Sequence, residues 1–237
     1  QTLETERRVK TTVTQIKQSL DVAILKPTTT PAEIEALAKT LREEGYRYLC
    51  VNSLHTATAA RAVKGSKVEI VACVGFPHGT VKTAAKVFET EAAIAEGADE
   101  IDMVLDLGAL FSGNRKQAEA DVRAVVDGAQ GRPVKVIIET PFLDMRQKVE
   151  ASKIVQAGGA AFVKTCTGAS PDPLALYEDV RLIRRTVGPK MGIKASGRVG
   201  TFFRYMSMLE AGATRVGLVL DQAREILRGC AEHKGKL

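Results

Sequence analysis

Ala161-Phe162-Val163-Lys164-Thr165-Cys166-Thr167-Gly168-Ala169-Ser170 reads as a short buried strand that runs out into a glycine-containing turn. A helical pattern follows over 173–187 and stops at Gly188. The next apolar run is Met191–Ser196, with Phe202–Ala211 helical behind it and Gly212 as its stop. Strand, helix and strand alternate, and both strands are apolar on both faces. A parallel sheet covered by helices on its outside has that signature.

The unit recurs in both directions along the chain. Strands are expected at Ser19–Leu25, Tyr46–Asn52, Val68–Gly75, Glu100–Asp106, Val134–Glu139, Ala161–Cys166, Met191–Ser196 and Arg215–Leu220, each followed by a helix. The clearest helix start is Thr30-Pro31-Ala32-Glu33, with threonine at the cap, proline in the first turn and glutamate placed to bond back. Ile34, Leu37, Ala38 and Leu41 then fall at helical spacing, and Gly45 ends the run. Eight strand–helix units in 237 residues predict a (β/α)8 barrel. A doubly wound open sheet is the competing architecture, but no Gly-x-Gly-x-x-Gly follows the first strand. No composition break marks a linker, so residues 1–237 read as one domain. Residues 1–18 are expected to form an N-terminal extension, helical over 3–18.

Composition narrows the function. Apolar residues make up 45% of the chain, there is no tryptophan, and the formal charge is +6. The basic residues are scattered among acids and carry no interleaved aromatics, which argues against a nucleic-acid partner. The excess charge suits a solvated surface or an anionic substrate. The four cysteines, Cys50, Cys73, Cys166 and Cys230, form no Cys-x-x-Cys pair. Buried reduced thiols in a cytoplasmic protein are therefore expected, with no disulfide framework and no metal site. The first twenty residues lack the apolar core of a signal peptide, and no apolar run reaches the roughly 18 residues of a membrane span. Apolar helix faces leave room for a homodimer, although nothing in the sequence specifies one.

In such a barrel the active site lies at the C-terminal ends of the strands. The polar residues in or just after the apolar strands are Asp21, Cys50, Asn52, Asp102, Asp106, Glu139, Lys164, Thr167, Lys194 and Ser196. Side chains alternate faces along a strand, so Asp102 and Asp106 share a face, as do Lys194 and Ser196. Asp102, Lys164 and Lys194 are expected to point inward, because the outer face packs against helices. A protonated lysine cannot attack a carbonyl, but burial and a neighbouring cation both lower its pKa and make it a Schiff-base nucleophile. Lys194 on the neighbouring strand would be that cation for Lys164, and Asp102 would relay protons. The competing reading is a structural Lys–Asp–Lys network, which is costly and seldom adds net stability. His55, His78 and His233 show no ligand spacing and are expected at the surface. Cys166 either lines the site or fills core, and Glu139 is expected to bond a neighbouring strand.

These residues resemble those of the 2-deoxyribose-5-phosphate aldolases, class I aldolases on a (β/α)8 barrel. The likeness runs from Leu20 to Gly217. It is carried by Asp21–Pro27, Cys50-Val51-Asn52, Val74-Gly75-Phe76-Pro77, Gly97–Val104, Lys135–Thr140, Phe162–Gly168 and Ile193–Gly197. The resemblance implies that Lys164 forms the Schiff base, Lys194 perturbs its pKa and Asp102 relays protons. It also implies a small aldehyde or sugar substrate held by Asp21, Cys50, Thr167, Ser196, Gly197 and Arg198, with no metal or organic cofactor.

The chain departs from the family pattern at three places. Asp21-Val22-Ala23 replaces Asp-His-Thr, and Ser196-Gly197-Arg198 replaces a Gly-Gly pair. Gly217-Leu218-Val219-Leu220-Asp221 replaces the phosphate-holding Gly-Thr-Ser-Ser-Gly turn, so Asp221 is expected to repel a phosphate. The C-terminal tyrosine is absent as well. Two enzymatic readings follow. One is cleavage of deoxyribose 5-phosphate with Arg198 as substitute anion partner. The other is a related Schiff-base lyase acting on an unphosphorylated carbonyl compound. A catalytically silent ligand-binding barrel is the reading from another class.

Overall fold

The computed structural model describes residues 10–234. Its eight strands are β1 (Leu20–Ile24), β2 (Tyr48–Asn52), β3 (Glu69–Val74), β4 (Glu100–Val104), β5 (Val134–Ile137), β6 (Phe162–Lys164), β7 (Gly192–Ser196) and β8 (Arg215–Leu218). They are all parallel and close in sequence order, β8 pairing with β1. The helices are α1 (Val13–Ser19), α2 (Pro31–Glu44), α3 (Thr56–Val63), α4 (Thr83–Ala95), α5 (Leu107–Phe111), α6 (Arg115–Gly128), α7 (Met145–Ala157), α8 (Tyr177–Val187), α9 (Phe202–Ala211) and α10 (Leu220–Glu232). This is the expected (β/α)8 barrel with an extra helix ahead of it. Of the helix expected over 3–18, residues 1–9 lie outside the described residues, and the part described begins at Val13 behind a Thr12 capping box.

Local chemistry sets most boundaries. Thr30 and Glu33 form the reciprocal cap of α2, and Gly45 closes it in the left-handed conformation (φ 76°) that glycine adopts without a Cβ penalty. Several expectations are corrected. The fourth strand stops at Val104, because the Asp106 carboxylate accepts the Ala109 amide at 3.0 Å and starts α5; Asp106 therefore caps a helix and does not share the inner face with Asp102. Strand β6 ends at Lys164, two residues early, and the helix behind it starts at Tyr177, past the expected start at 173. His55 is buried at the end of a 3-10 turn over Ser53–His55.

The main core lies between barrel and helices and is built from Val, Ile, Leu and Ala. A smaller cluster of Tyr48, Cys50, Val71 and Cys73 sits among inner-face residues. One ion pair belongs to the outer layer. Lys86 of α4, fully buried, donates to Asp121 of α6 at 2.7 Å and to the Val104 carbonyl at the end of β4 at 2.9 Å. It ties two helices to the strand that carries Asp102. Truncating one member of a buried pair strands the other charge, which costs about 3–5 kcal/mol. Lys86→Met should lower the urea-unfolding free energy by that amount. The double variant Lys86→Met/Asp121→Leu should recover most of it, and a single-variant loss under about 1 kcal/mol would show that the pair is not what holds these elements.

Candidate active site

Strand register decides which charges meet. Lys164 of β6 is in register with Lys194 of β7, Asp102 of β4 with Lys135 of β5, and Lys194 with Arg215 of β8. Paired residues of parallel strands point to the same side, so all of these turn inward. Asp21 joins them from β1, and Glu100 lies two residues before Asp102 on the same face. Among the described residues, four cations and three carboxylates are buried together inside the barrel.

Their contacts form two tiers. In the lower tier, Lys135 lies 2.5 Å from Glu100, 3.1 Å from Asp102 and 3.9 Å from Asp21. Arg215 bridges Asp21 at 2.5 Å and Glu100 at 3.1 Å. The Arg215 guanidinium carbon sits over the Tyr48 ring, 3.2 Å from its centre, and the Phe162 ring stands near both Arg215 and Lys135. In the upper tier, Lys164 and Lys194 both donate to the same Asp102 oxygen, Oδ2, each at 2.7 Å. Lys194 also pairs with Asp21. Gly192 makes room for the Phe162 ring beneath this pair; a Cβ there would come 2.2 Å from the ring.

The electrostatic balance follows from these contacts. Burial alone would raise the Asp102 carboxyl, but Lys135, Lys164 and Lys194 together hold it well below the usual carboxylate range. Asp21 is likewise drawn down by Lys194, Arg215 and Lys135 against the opposing effect of burial. Burial lowers Lys164, Asp102 raises it and Lys194 lowers it, with a net upward direction. The expectation of a depressed Lys164 is thus corrected for the resting site. Burial and Lys194 act as expected, but Asp102, with smaller help from Cys73 and Cys50, turns the balance upward. Lys194 lies higher still, because Asp21 adds to Asp102.

The count of charges still singles out one lysine. Four cations against three carboxylates leave one positive charge in excess, and an uncompensated buried charge is the costly one. Arg215 does not deprotonate. Lys135 touches three carboxylates and Lys194 two, whereas Lys164 touches only Asp102 and shares that oxygen. Lys164 is the cation whose neutralisation costs the interior least.

A cavity of about 360 Å³ opens above this pair at the C-terminal end of the barrel. Of the residues expected to bind substrate, Asp21, Cys50, Thr167, Ser196, Gly197 and Arg198 all line it, together with Lys164 and Lys194. Asp102 lies beneath, touching the lysines. Gly197 (φ 116°) admits no side chain, since a Cβ would lie 2.5 Å from the Pro173 carbonyl and 2.6 Å from Cys166 Sγ. Cys166 therefore packs behind the turn, and burial pushes its thiol up to about 12. Glu139 accepts the Thr167 amide at 3.2 Å and so anchors the β6 turn, the structural role expected of it. Arg198 is exposed at the mouth and paired with Asp172 at 2.8 Å.

The sequence reading missed the lower tier and part of the mouth. Glu100 was legible as the same-face neighbour of Asp102, and Lys135 as a lysine inside an apolar run. Arg215 opens its strand and looks like an ordinary boundary residue. Lys26 and Gln222 also line the cavity, and no local signal marks either one. Asp221, expected to face a phosphate, lies exposed in the first turn of α10 and is not on the cavity wall.

Comparison with known proteins agrees with this geometry. Residues 17–203 match the model of the DeoC/LacD family aldolases. The deoxyribose-phosphate aldolase of Macrococcus caseolyticus is 47% identical over 216 residues, 91% of this chain and 96% of that one. The deoxyribose-phosphate aldolase 1 of Staphylococcus aureus is 43% identical over 203 residues, 86% of this chain and 92% of that one. Among solved structures, the aldolase QR15 superposes with a TM-score of 0.85 at 32% identity, covering 92% of this chain and 97% of that one. A closed eight-stranded barrel, two lysines on one carboxylate oxygen and a match over most of the sequence lead to one conclusion: this chain belongs to the DeoC/LacD family of aldolases.

Proposed function

We propose that this protein is a class I aldolase that reversibly cleaves 2-deoxy-D-ribose 5-phosphate to acetaldehyde and D-glyceraldehyde 3-phosphate through an imine on Lys164. The observation that carries the reading is Asp102 Oδ2, which holds the Lys164 and Lys194 ammoniums together at the floor of the cavity. The names of the relatives agree with it.

The chemistry begins when Lys164 gives up the excess proton. Its neutral amine adds to the C1 aldehyde of the open-chain sugar, and loss of water leaves an iminium. The C2–C3 bond then breaks, its electrons move into the iminium to form an enamine, and the C3 hydroxyl loses its proton to become the aldehyde of glyceraldehyde 3-phosphate. Protonation of the enamine at C2 and hydrolysis release acetaldehyde and restore the amine. Asp102 and Lys194 take and return these protons, since the shared oxygen lies within hydrogen-bond reach of both amines. The iminium is the electron sink, so the sequence of steps calls for neither a metal nor an organic cofactor.

The phosphate meets Arg198 and Lys26 at the mouth. The Arg198–Asp172 pair is solvent-exposed on both sides, and such a pair is worth little. Arg198 can exchange Asp172 for a phosphate at small cost. With Asp221 off the wall, nothing on the lining opposes the anion except Asp21, which is neutralised by its own partners.

Incubation with acetaldehyde and borohydride should leave a reduced adduct on Lys164, read by peptide mass mapping; an adduct only on another lysine would refute the assignment. Arg198→Ala should raise KM for deoxyribose 5-phosphate about tenfold or more while leaving kcat within about twofold, and equal use of unphosphorylated deoxyribose by the unchanged protein would remove Arg198 from this role. Asp102→Asn deletes the influence that raises Lys164 and keeps burial and Lys194, which both lower it. The pH at half-maximal rate of borohydride-trapped imine should therefore move down relative to the unchanged chain, even as turnover falls about 100-fold or more. An unmoved or higher midpoint would mean that Asp102 does not control the Lys164 proton.

A further inference from the structure

The barrel interior holds two thiols that take no part in the aldol steps above. Cys50 of β2 and Cys73 of β3 are each 1% exposed, with their sulfurs 3.7 Å apart. Asp102 stands beside them, and one ligand atom from each of the three lies within 4.8 Å of the other two.

A disulfide does not fit the strand geometry. Cys50 is in register with Val71 and Cys73 with Asn52, so the cysteines are two residues out of register on adjacent strands. Strands lie about 4.8 Å apart and two residues rise about 6.6 Å, so such diagonal neighbours lie about 8 Å apart, beyond the roughly 4.4–6.8 Å between Cα atoms that a disulfide spans. The distance present suits a different bond set. A tetrahedral ion with metal–sulfur bonds of about 2.3 Å holds two sulfurs about 3.8 Å apart, and a carboxylate oxygen bound at about 2.0 Å then sits about 3.5 Å from each. The sulfurs already have that spacing. The carboxylate has at most about 1.3 Å to travel, the difference between its present separation and that third edge.

We propose that Cys50, Cys73 and Asp102 form an inhibitory site for a thiophilic divalent ion, Zn2+ or Cd2+, in the floor of the catalytic cavity. Charge balance permits it despite the neighbouring cations. The divalent ion replaces one proton on each thiol, two protons leave, and the ion with its two thiolates is neutral. The interior keeps the net charge it had. Mg2+ and Ca2+ prefer oxygen donors and gain nothing from the thiolates. Cys50 lines the cavity, so the ion enters by the substrate's route, and its fourth position faces that opening and takes water. Asp102 is the ligand that converts binding into inhibition. The carboxylate that the ion draws on is the one that holds Lys164 and Lys194, so its movement toward the sulfurs loosens that pair as the ion settles.

The test uses the full chain, reduced and stripped with a chelator, titrated with cadmium chloride. The ultraviolet thiolate-to-cadmium charge-transfer band should saturate at one ion per chain with the intensity of two thiolates. Cleavage of deoxyribose 5-phosphate should fall at least about tenfold at saturation and return on adding chelator, and Mg2+ should do neither. Cys73 is off the cavity wall, so Cys73→Ala should keep basal turnover, show half the band, and need more cadmium by a larger factor than the roughly 10–100-fold lost with an outer-shell partner. Cys73→Ser, of nearly the original volume, serves the same purpose if the alanine variant does not fold. Unchanged inhibition or an unchanged band in both variants would place the ion elsewhere and overturn the proposal, as would a band too weak for two thiolates in the unchanged chain. The activity arm rests on the deoxyribose-phosphate reading. The band does not, so a chain that binds cadmium as expected but leaves that sugar uncleaved would refute the substrate and leave the site standing.

Discussion

A single carboxylate oxygen, Asp102 Oδ2, organises this molecule. Two ammonium groups reach it from adjacent strands, each at 2.7 Å, in a place from which water is largely excluded. Most barrels fill their interior with layers of branched apolar side chains. Here the inner layers at β4 to β8 are ionic, and the apolar material lies mainly between strands and helices. Burying that many charges is tolerable only because nearly every one is paired, and truncating one would expose the cost of the rest.

Pairing cannot be complete with four cations and three carboxylates, and that imbalance gives the site its chemistry. The lower tier is saturated: Lys135 and Arg215 are each held by more than one carboxylate, with aromatic faces beneath them. The excess is pushed upward to the end of the network nearest solvent, where Lys164 has the fewest partners. A lower tier that looks purely structural thus determines which amine can become neutral. The resting Lys164 is still protonated, since Asp102 holds it up. In the proposed mechanism, the same carboxylate that delays deprotonation is the nearest acceptor and donor when the substrate carbonyl arrives.

The fold was legible from repetition. Most units carried a glycine stop, such as Gly45 after α2 and Gly212 after α9, and closed parallel order followed from the count. Lys164, Lys194 and Asp102 were legible because a charge in an apolar run stands out. Their neighbours were less so. Arg215 sits at a strand start, where a charge is unremarkable, and only closure of β8 on β1 brings it against Asp21. The direction of the Lys164 shift was misread for a related reason. Strand adjacency reveals Lys194 but gives no distance to Asp102, and with the carboxylate at 2.7 Å the balance of burial, Asp102 and the neighbouring thiols turns upward. His55 looked like a surface residue because the 3-10 turn that buries it has no clear periodicity.

The altered end of the cavity follows the same logic of placement over composition. Read as a string, Gly217-Leu218-Val219-Leu220-Asp221 loses the hydroxyls of a phosphate turn and gains a carboxylate. Folded, the chain stays extended through Val219 and enters α10 at Leu220, which turns Asp221 to the outside and leaves Gln222 on the wall. Across the mouth, Arg198 occupies a left-handed backbone position (φ 50°) that a glycine would fill more easily. A long cation held there at conformational cost and tethered, among the described residues, by an exposed pair with Asp172 is poorly explained by stability. It is well explained if the site takes an anion from solvent, because a guanidinium offers a planar fork matched to phosphate oxygens. On the proposed reading, anion recognition at this end rests on the Arg198 side chain, above the lysine pair that shares Asp102.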